Sequence, residues 1–350
     1  MRSRRTRSGT ISRTLRGASL ACLLAVVSAC AATAAAGQTP AGGSSGSSGT
    51  VVNFGDQQQM FQTMLQASGV LKGAPYKVNF VEFDSGPLVD AGFAAHRIDV
   101  GYMGDLPASL AVKSHLPVVA VAVEQPIGAN EFLLARPGIS SISQLRGKQV
   151  AYTTGTAEQA FALRALKSAG LTQQDVHQVN VSLLQLGTVL ESGAADASVV
   201  TVEQKVNYQQ GHPGAKVLAT QDTVQPPSYD YLLAARAALG NGAKLAAIDD
   251  LTKRLVRAEN WVKTHLSQWV TDYYVSVEHQ TPAVAKLILA AGGTANYVPV
   301  NASVQAALQN VVTLLAAAKA LPATFTVAPL FSAAESARYD AILKETPQNG

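Results

Sequence analysis

From Val51 onward the chain alternates short apolar runs with helical stretches, and that alternation sets the class as α/β with mainly parallel sheets. Residues 51–54 read as a strand, 55–59 as a loop and Met60–Ala67 as a helix. Strands follow at Lys77–Phe83 and 98–102, with a helix over 88–95 between them. A second series begins with a strand at 149–152 and a helix over 157–169, stopped by Gly170. It continues with a strand at 179–183, a helix at 188–192 and a strand at Ala197–Thr201. The two series are separated by 131–148, which suggests two lobes. They share one local grammar of helix, short turn, aspartate, then a small and apolar strand. His96-Arg97-Ile98-Asp99-Val100 corresponds in that sense to Gly193-Ala194-Ala195-Asp196-Ala197. Periodicity alone leaves a single larger sheet open.

The first thirty residues follow a different logic. Arg2, Arg4, Arg5, Arg7, Arg13 and Arg16 precede an apolar run over 18–29, and no acid occurs before Cys30. That run is shorter than the ~20 residues of a spanning helix, and with small residues at its end it reads as a secretory signal. Val27-Ser28-Ala29-Cys30 reads as a lipobox, so that 1–30 form a signal peptide and Cys30 takes a diacylglycerol. Cleavage at Ala34-Ala35-Ala36, with Cys30 discarded, is the alternative. Arg4-Arg5 makes a weak twin-arginine match, because Arg7 stands where a hydrophobic residue usually follows. Residues 31–49, ending in GGSSGSSG, read as a flexible linker. The G-x-S-x-G match at 42–46 lies in that linker, without the strand and helix a nucleophile elbow requires.

Charge and cysteine usage narrow the function. The chain has 27 Lys and Arg against 23 Asp and Glu. Six of the basic residues lie in the signal, which leaves 21 against 23 and a net of −2. The calculated pI of about 9.0 is therefore an effect of the leader, and no basic footprint for nucleic acid remains. Cys22 and Cys30 are the only cysteines, so the folded part must rely on its core rather than on disulfides. The six histidines (His96, His115, His177, His212, His265 and His279) have no zinc-ligand spacing, and neither a P-loop nor a dinucleotide G-x-G-x-x-G is present. We expect no metal, no cofactor and no catalytic residues.

Five segments in fixed order carry a resemblance: EFDSGPLVDAG, IDVGYMGDLPASLAV, LRGKQVAYTTGTAEQAFALRALKSAGL, SGAADASVV and SYDYLLA. Together they resemble the substrate-binding proteins of the aliphatic-sulfonate, taurine and nitrate uptake family of ABC importers. The resemblance implies a two-lobed periplasmic-binding-protein type II fold, with a hinge and an inter-lobe cleft. Lobe 1 is then discontinuous, 50–126 plus 231–350, and lobe 2 is 127–230. With the leader and lipobox, the expected protein is a monomer that is exported to the periplasm or the outer face of the cell membrane, anchored through Cys30. Its partners would be a small-molecule anion, most simply an organic sulfonate, and the permease and ATPase subunits of an importer. Nitrate, taurine, a pyrimidine or thiamine precursor, or a non-transport enzyme of similar fold are the alternatives.

The loops support a cleft independently, because ligands of open α/β sheets bind beyond the carboxyl ends of the strands. Asp56-Gln57, Ser85-Gly86-Pro87, Gly104-Asp105 and Thr153 to Ala157 occupy such places. Thr154-Gly155-Thr156 precedes a helix, Thr156 with Gln159 fits a capping box, and unpaired N–H groups there would suit an anion. An ordinary capped helix start accounts for the same residues. On the ligand reading, the Gly155–Thr156–Ala157 backbone and the Thr156 hydroxyl donate to the sulfonate, and Gln57 and Gly104 complete the ring. Asp105 either caps the following helix or holds the loop geometry from behind Gly104.

Relatives in the resembled family commonly carry Trp-Asp-Pro where this chain has Thr201-Val202-Glu203. The aromatic wall is lost and the carboxylate is absent or moved to Glu203, which disfavours taurine and favours a bulkier sulfonate. Tyr229 or Tyr231 would then be replacement walls, or else core residues. Trp261 and Trp269, eight apart, read as a core-facing stripe of a helix over 256–275. The tail from Ala243 onward is expected to pack on lobe 1 and to contribute little chemistry.

Overall fold

The computed structural model describes residues 49–224 and 226–348. The expected signal peptide, Cys30 and nearly all of the expected linker therefore lie outside the described residues. The first part runs β1 (Val51–Gln57), α1 (Met60–Ala67), β2 (Lys77–Phe83), α2 (Gly86–Ala94), β3 (Val100–Gly104), α3 (Asp105–Lys113) and β4 (Val118–Ile127). A second run follows: β5 (Glu131–Ala135), β6 (Gln149–Ala151), α4 (Ala157–Ser168), β7 (His177–Val179), α5 (Leu186–Glu191), β8 (Ala197–Thr201), α6 (Val202–Gly211) and β9 (Lys216–Thr220). The chain then returns through β10 (Asp230–Ala235), short α7 (Arg236–Leu239) and long α8 (Gly242–Thr264). It ends with α9 (Leu266–Trp269), α10 (Pro282–Ala291), β11 (Thr294–Tyr297), α11 (Ala302–Ala317) and α12 (Ala333–Glu345).

The strands form two sheets. One has the order β11-β4-β10-β3-β1-β2, the other β7-β6-β8-β5-β9. In each, a central strand pairs in parallel with two neighbours, β1 with β2 and β3, β6 with β7 and β8. In each, the strand beyond is antiparallel and is the first one reached after the chain crosses between sheets: β10 in the first and β5 in the second. The chain crosses at 128–130 and again at 221–229.

The shared grammar has a structural reason. Asp99 N–H donates to Asn53 O while its carboxylate accepts from Asn53 N–H at 2.9 Å. Asp196 does the same with Gln149, its carboxylate accepting at 2.9 Å. Each carboxylate is also held by a cation, Lys244 for Asp99 at 2.6 Å and Arg136 for Asp196 at 2.5 Å. The turn before each needs a left-handed residue, His96 at φ 54° and Gly193 at φ 71°.

Three expectations about elements change. The segment 131–148 is no spacer, since Glu131–Ala135 lies between β8 and β9. The strand expected at 179–183 is His177–Val179, because its partner β6 offers only three residues to pair with. The helix expected over 256–275 stops at Thr264, and Val270–Val275 forms a wider π turn with Ser276 N–H donating to Thr271 O.

The tail also departs from expectation, because it touches both sheets' helices. Val284, Ile288 and Ala291 of α10 pack with Val202 and Val206 of α6. Helix α11 packs Val304, Leu308 and Val311 into the core shared by α3 and α4. Two straps thus flank the cleft, where chain order alone suggests attachment to one lobe.

Candidate functional site

Between the two sheets lies a cavity of about 320 Å³, within the size range of small-molecule sites. One row of residues crosses its floor on the first sheet. Gly104 of β3 pairs with Asp230 of β10, Asp230 with Glu124 of β4, and Glu124 with Tyr297 of β11. Directly opposed residues of antiparallel strands have Cβ atoms about 5 Å apart, and like charges so placed are unfavourable. From the second sheet, Glu131 and Thr201 pair with each other and also line the cavity.

Two helices start at that wall with the same Thr-x-Glu pattern. Thr156-Ala157-Glu158 opens α4, and Thr201-Val202-Glu203 opens α6. At each start the glutamate carboxyl lies close to its own backbone N–H and to the side chain of the threonine two residues before it, which partly offset the burial that raises it. A helix start attracts an anion, and here the chain places its own carboxyl group there.

Six carboxyl groups line the cavity: Glu124, Glu131, Glu158, Glu203, Asp230 and Glu259. No Lys, Arg or His is among its lining residues. Burial pushes the Asp230 carboxyl up to about 7, with the Tyr102 hydroxyl pulling in the other direction. Burial, then Glu259 and Asp230, raise Glu124 well above the carboxylate range. Burial, then Glu158 and Asp105, do the same for Glu131. Two cations act on these carboxyls from outside the lining, Arg164 on Glu131 and Asp230 and Lys263 on Glu259. Arg164 pairs with Asp105 at 2.9 Å, both side chains being 2% exposed, and the Lys263 ammonium donates to the Asn296 side chain.

An aromatic set forms another wall. Trp269 stacks on Tyr273 with centroids 4.8 Å apart and planes 4° apart, and Tyr274 meets Tyr273 edge-on at 5.3 Å. The π turn makes this possible, since it keeps Tyr273 on Trp269 while turning Tyr274 toward the same cavity.

Of the residues singled out from sequence, Gln57, Gly86, Gly104, Thr156, Ala157, Thr201 and Glu203 line the cavity. Asp105, Thr154, Gly155 and Tyr229 do not. Asp105 is turned away into its ion pair with Arg164. Thr154 is exposed and bonded to Asn180 and Gln178. Gly155, at φ +84°, makes the left-handed turn before α4, and its N–H donates to Gln159 Oε1 at 2.8 Å. The expected capping box is therefore altered: Gln159 reaches Gly155 rather than Thr156, and the Thr156 hydroxyl donates to Thr153 O at 2.8 Å. Tyr229 is buried in the core beside Val224 and Tyr231. Sequence reasoning missed the acidic floor and the Trp269-Tyr273-Tyr274 wall. The run of aromatic residues over 269–274 was the available signal for the latter.

A family model described as NMT1/THI5 like matches residues 76–259. The chain belongs to the NMT1/THI5-like family. This NMT1/THI5-like chain is 28% identical over 175 residues to a protein named as aliphatic sulfonates-binding from Escherichia coli (strain K12), a match covering 49% of the chain. It covers 54% of that relative, so the chain spans about half the length of the curated relatives it matches. Among solved structures it is similar to the periplasmic aliphatic sulphonate binding protein SsuA from Escherichia coli, with TM-score 0.71 and 23% identity over 81% of this chain and 92% of that one. It is also similar to the alkanesulfonate-binding protein SsuA from Xanthomonas axonopodis pv. citri bound to MOPS, with TM-score 0.72 and 22% identity over 81% and 98%. The structural likeness carries the fold of this NMT1/THI5-like chain: the two-lobed periplasmic-binding-protein type II arrangement, with a hinge and an inter-lobe cleft.

Proposed function

We propose that this chain is the extracytoplasmic solute-binding protein of an ABC importer. It holds a small organic ligand between its lobes and delivers it, unaltered, to permease and ATPase subunits. The carrying observation is the cavity enclosed where the carboxyl ends of β1 and β3 face the starts of α4 and α6. Family membership and relatives named for aliphatic sulfonates support the reading. Those names also support an organic sulfonate as the ligand class. Lobe limits of 50–126 plus 231–350 and 127–230 fit the crossings at 128–130 and 221–229.

Two measurements test the role. Small-angle scattering should give a smaller radius of gyration on adding a binding member of a panel of taurine, isethionate, ethanesulfonate and nitrate, because lobes of this kind close on ligand. Mass spectrometry should recover that compound chemically unchanged. Conversion of the ligand by pure protein, or tight binding with no compaction, would sink the transport reading. Export and anchoring are proposed on the residues before Cys30, and no helix among the described residues is long and apolar enough to cross a membrane. Cys30→Ala should move the protein from membrane to soluble fractions, and an unchanged distribution refutes the anchor.

A further inference from the structure

We propose that the cleft recognises a positively charged nitrogen on its ligand, held among Glu124, Glu131 and Asp230, while the ligand's apolar body lies against Trp269, Tyr273 and Tyr274. This deepens the binding-protein reading and rests on it.

Four observations carry the inference. The cavity presents six carboxyl groups and no basic side chain. Both helix starts facing it carry a glutamate in their first turn, Glu158 on α4 and Glu203 on α6, and both glutamates line the cavity where a free anion would have to approach. Glu131 Oε2 is buried without a hydrogen-bond partner, an acceptor that a ligand N–H would satisfy. Glu124 and Asp230 stand directly opposite each other, with Glu124 5% exposed. A cation between opposed carboxylates turns this unfavourable pair into a binding device.

The aromatic wall fits the same class of ligand, because cations and apolar groups both gain at the faces of Trp and Tyr rings. A metal ion is the competing occupant of an acidic cavity. Among the described residues, no three His, Cys, Asp or Glu side chains are grouped so as to hold one. The Thr201-Val202-Glu203 sequence thus reads in the opposite sense to the one expected from the lost Trp-Asp-Pro. The carboxylate is retained at Glu203, five others join it, and the aromatic wall is rebuilt from the tail.

The charged groups packed around these three acids complete the balance. Glu259 and Asp230 face Glu124, along with the Tyr102 and Tyr297 hydroxyls. Glu158, Asp105, Arg164 and Asp230 surround Glu131. Asp105, Glu158 and Arg164 act on Asp230. Apart from Arg164, which is paired to Asp105, all the ionisable groups named here are acidic or phenolic. Protons held on these carboxyls in the empty cleft must leave when a cation enters, so binding should release protons and tighten as pH rises.

Titration calorimetry on the wild-type protein tests this with matched probes. Taurine and isethionate differ by an ammonium against a hydroxyl, and so do phenethylamine and 2-phenylethanol. We expect at least about tenfold tighter binding of an ammonium member, proton release when heats are compared in two buffers, and affinity that rises from pH 6 to 8. Glu124→Gln and Asp230→Asn should each weaken that amine by about tenfold or more, with folding checked by circular dichroism. Equal or tighter binding of isethionate or ethanesulfonate, proton uptake, or affinity that falls with pH overturns the proposal while leaving the solute-binding role intact. Zn²⁺ or Ca²⁺ alone binding more tightly than either amine also overturns it. Failure of every probe, with neither binding nor compaction, counts against the proposal and the binding-protein reading together.

Discussion

At the scale of single residues, the site is defined as much by what turns away from it as by what enters it. Asp105 stands at the start of α3 beside the cavity, yet its carboxylate is spent on Arg164 of α4, reached from the opposite lobe. One oxygen of Asp105 and two nitrogens of Arg164 have no further partner. A buried pair of this kind contributes little net stability, but removing one member leaves the other charge stranded, at a cost of about 3–5 kcal/mol. Asp105→Asn should therefore lower the urea unfolding free energy by that amount. Its effect on affinity should follow from loosened lobes rather than from a lost ligand contact. Near-normal stability combined with abolished binding would return Asp105 to the ligand's own surroundings. Gly155 has a similar standing, because its left-handed backbone shapes the turn without facing the cavity.

At the scale of elements, the parts that sequence makes legible are those fixed by neighbours along the chain. The aspartate grammar is readable because Asp99 and Asp196 each close a local strand–turn unit by the same backbone exchange. The start of α4 is readable as a helix start, because that chemistry is confined to a few consecutive residues, whereas α6 is not read from the sequence at all. The acidic floor is different. Glu131 and Asp230 open β5 and β10 and Glu124 lies within β4, and each sits singly and looks like an ordinary solvated residue. They converge only because β10 returns between β3 and β4 while β5 enters the other sheet. No local periodicity encodes that return. The tail illustrates the same limit, since a helix stopped at Thr264 and widened at 270–275 keeps Trp269 in the core, as its stripe implies, and also brings it to the cavity wall. Its return to the first sheet hangs on a close approach: a Cβ on Gly293 would lie 2.2 Å from Ile127 O, beside the crossing at Gly128. Asn130 fixes the same spot, its side chain accepting from Gly293 N–H at 2.9 Å. Gly293→Ala should thus cost about 1–3 kcal/mol in urea unfolding. Gly292→Ala should cost clearly less, its Cβ nearing Ile288 O at 3.3 Å. Equal effects at the two positions would mean that the hinge and tail do not constrain each other.

At the scale of the whole molecule, so many raised carboxyls make stability depend on pH in an unusual direction. Burial lifts Asp230 to about 7, Asp56 to about 6 and Asp90 to about 8, each from 3.8. Burial also raises Glu158, Glu203 and Glu259. In the unfolded chain such groups titrate near about 4. Between that pH and their folded values the native state binds more protons than the unfolded state. The slope of unfolding free energy with pH is therefore negative. Stability from these groups is fully present below pH ~4 and is lost as pH rises through their folded values. Asp56 shares this behaviour although its carboxylate accepts the N–H groups of Gln57, Phe61 and Gln62, because burial outweighs those bonds. Cleft groups keep some solvent contact, so the summed loss from pH 5 to 8 should be on the order of 3 kcal/mol, or roughly 5–10 °C in Tm. Calorimetric scans of the empty protein across that range should show Tm falling toward pH 8. With a saturating cationic ligand the fall should flatten, because binding keeps the carboxylates ionised and adds its own stabilisation by mass action. An empty protein whose Tm climbs steadily from pH 5 to 8 would mean that these carboxyls, in the cleft and outside it, are ionised and solvated in the resting protein.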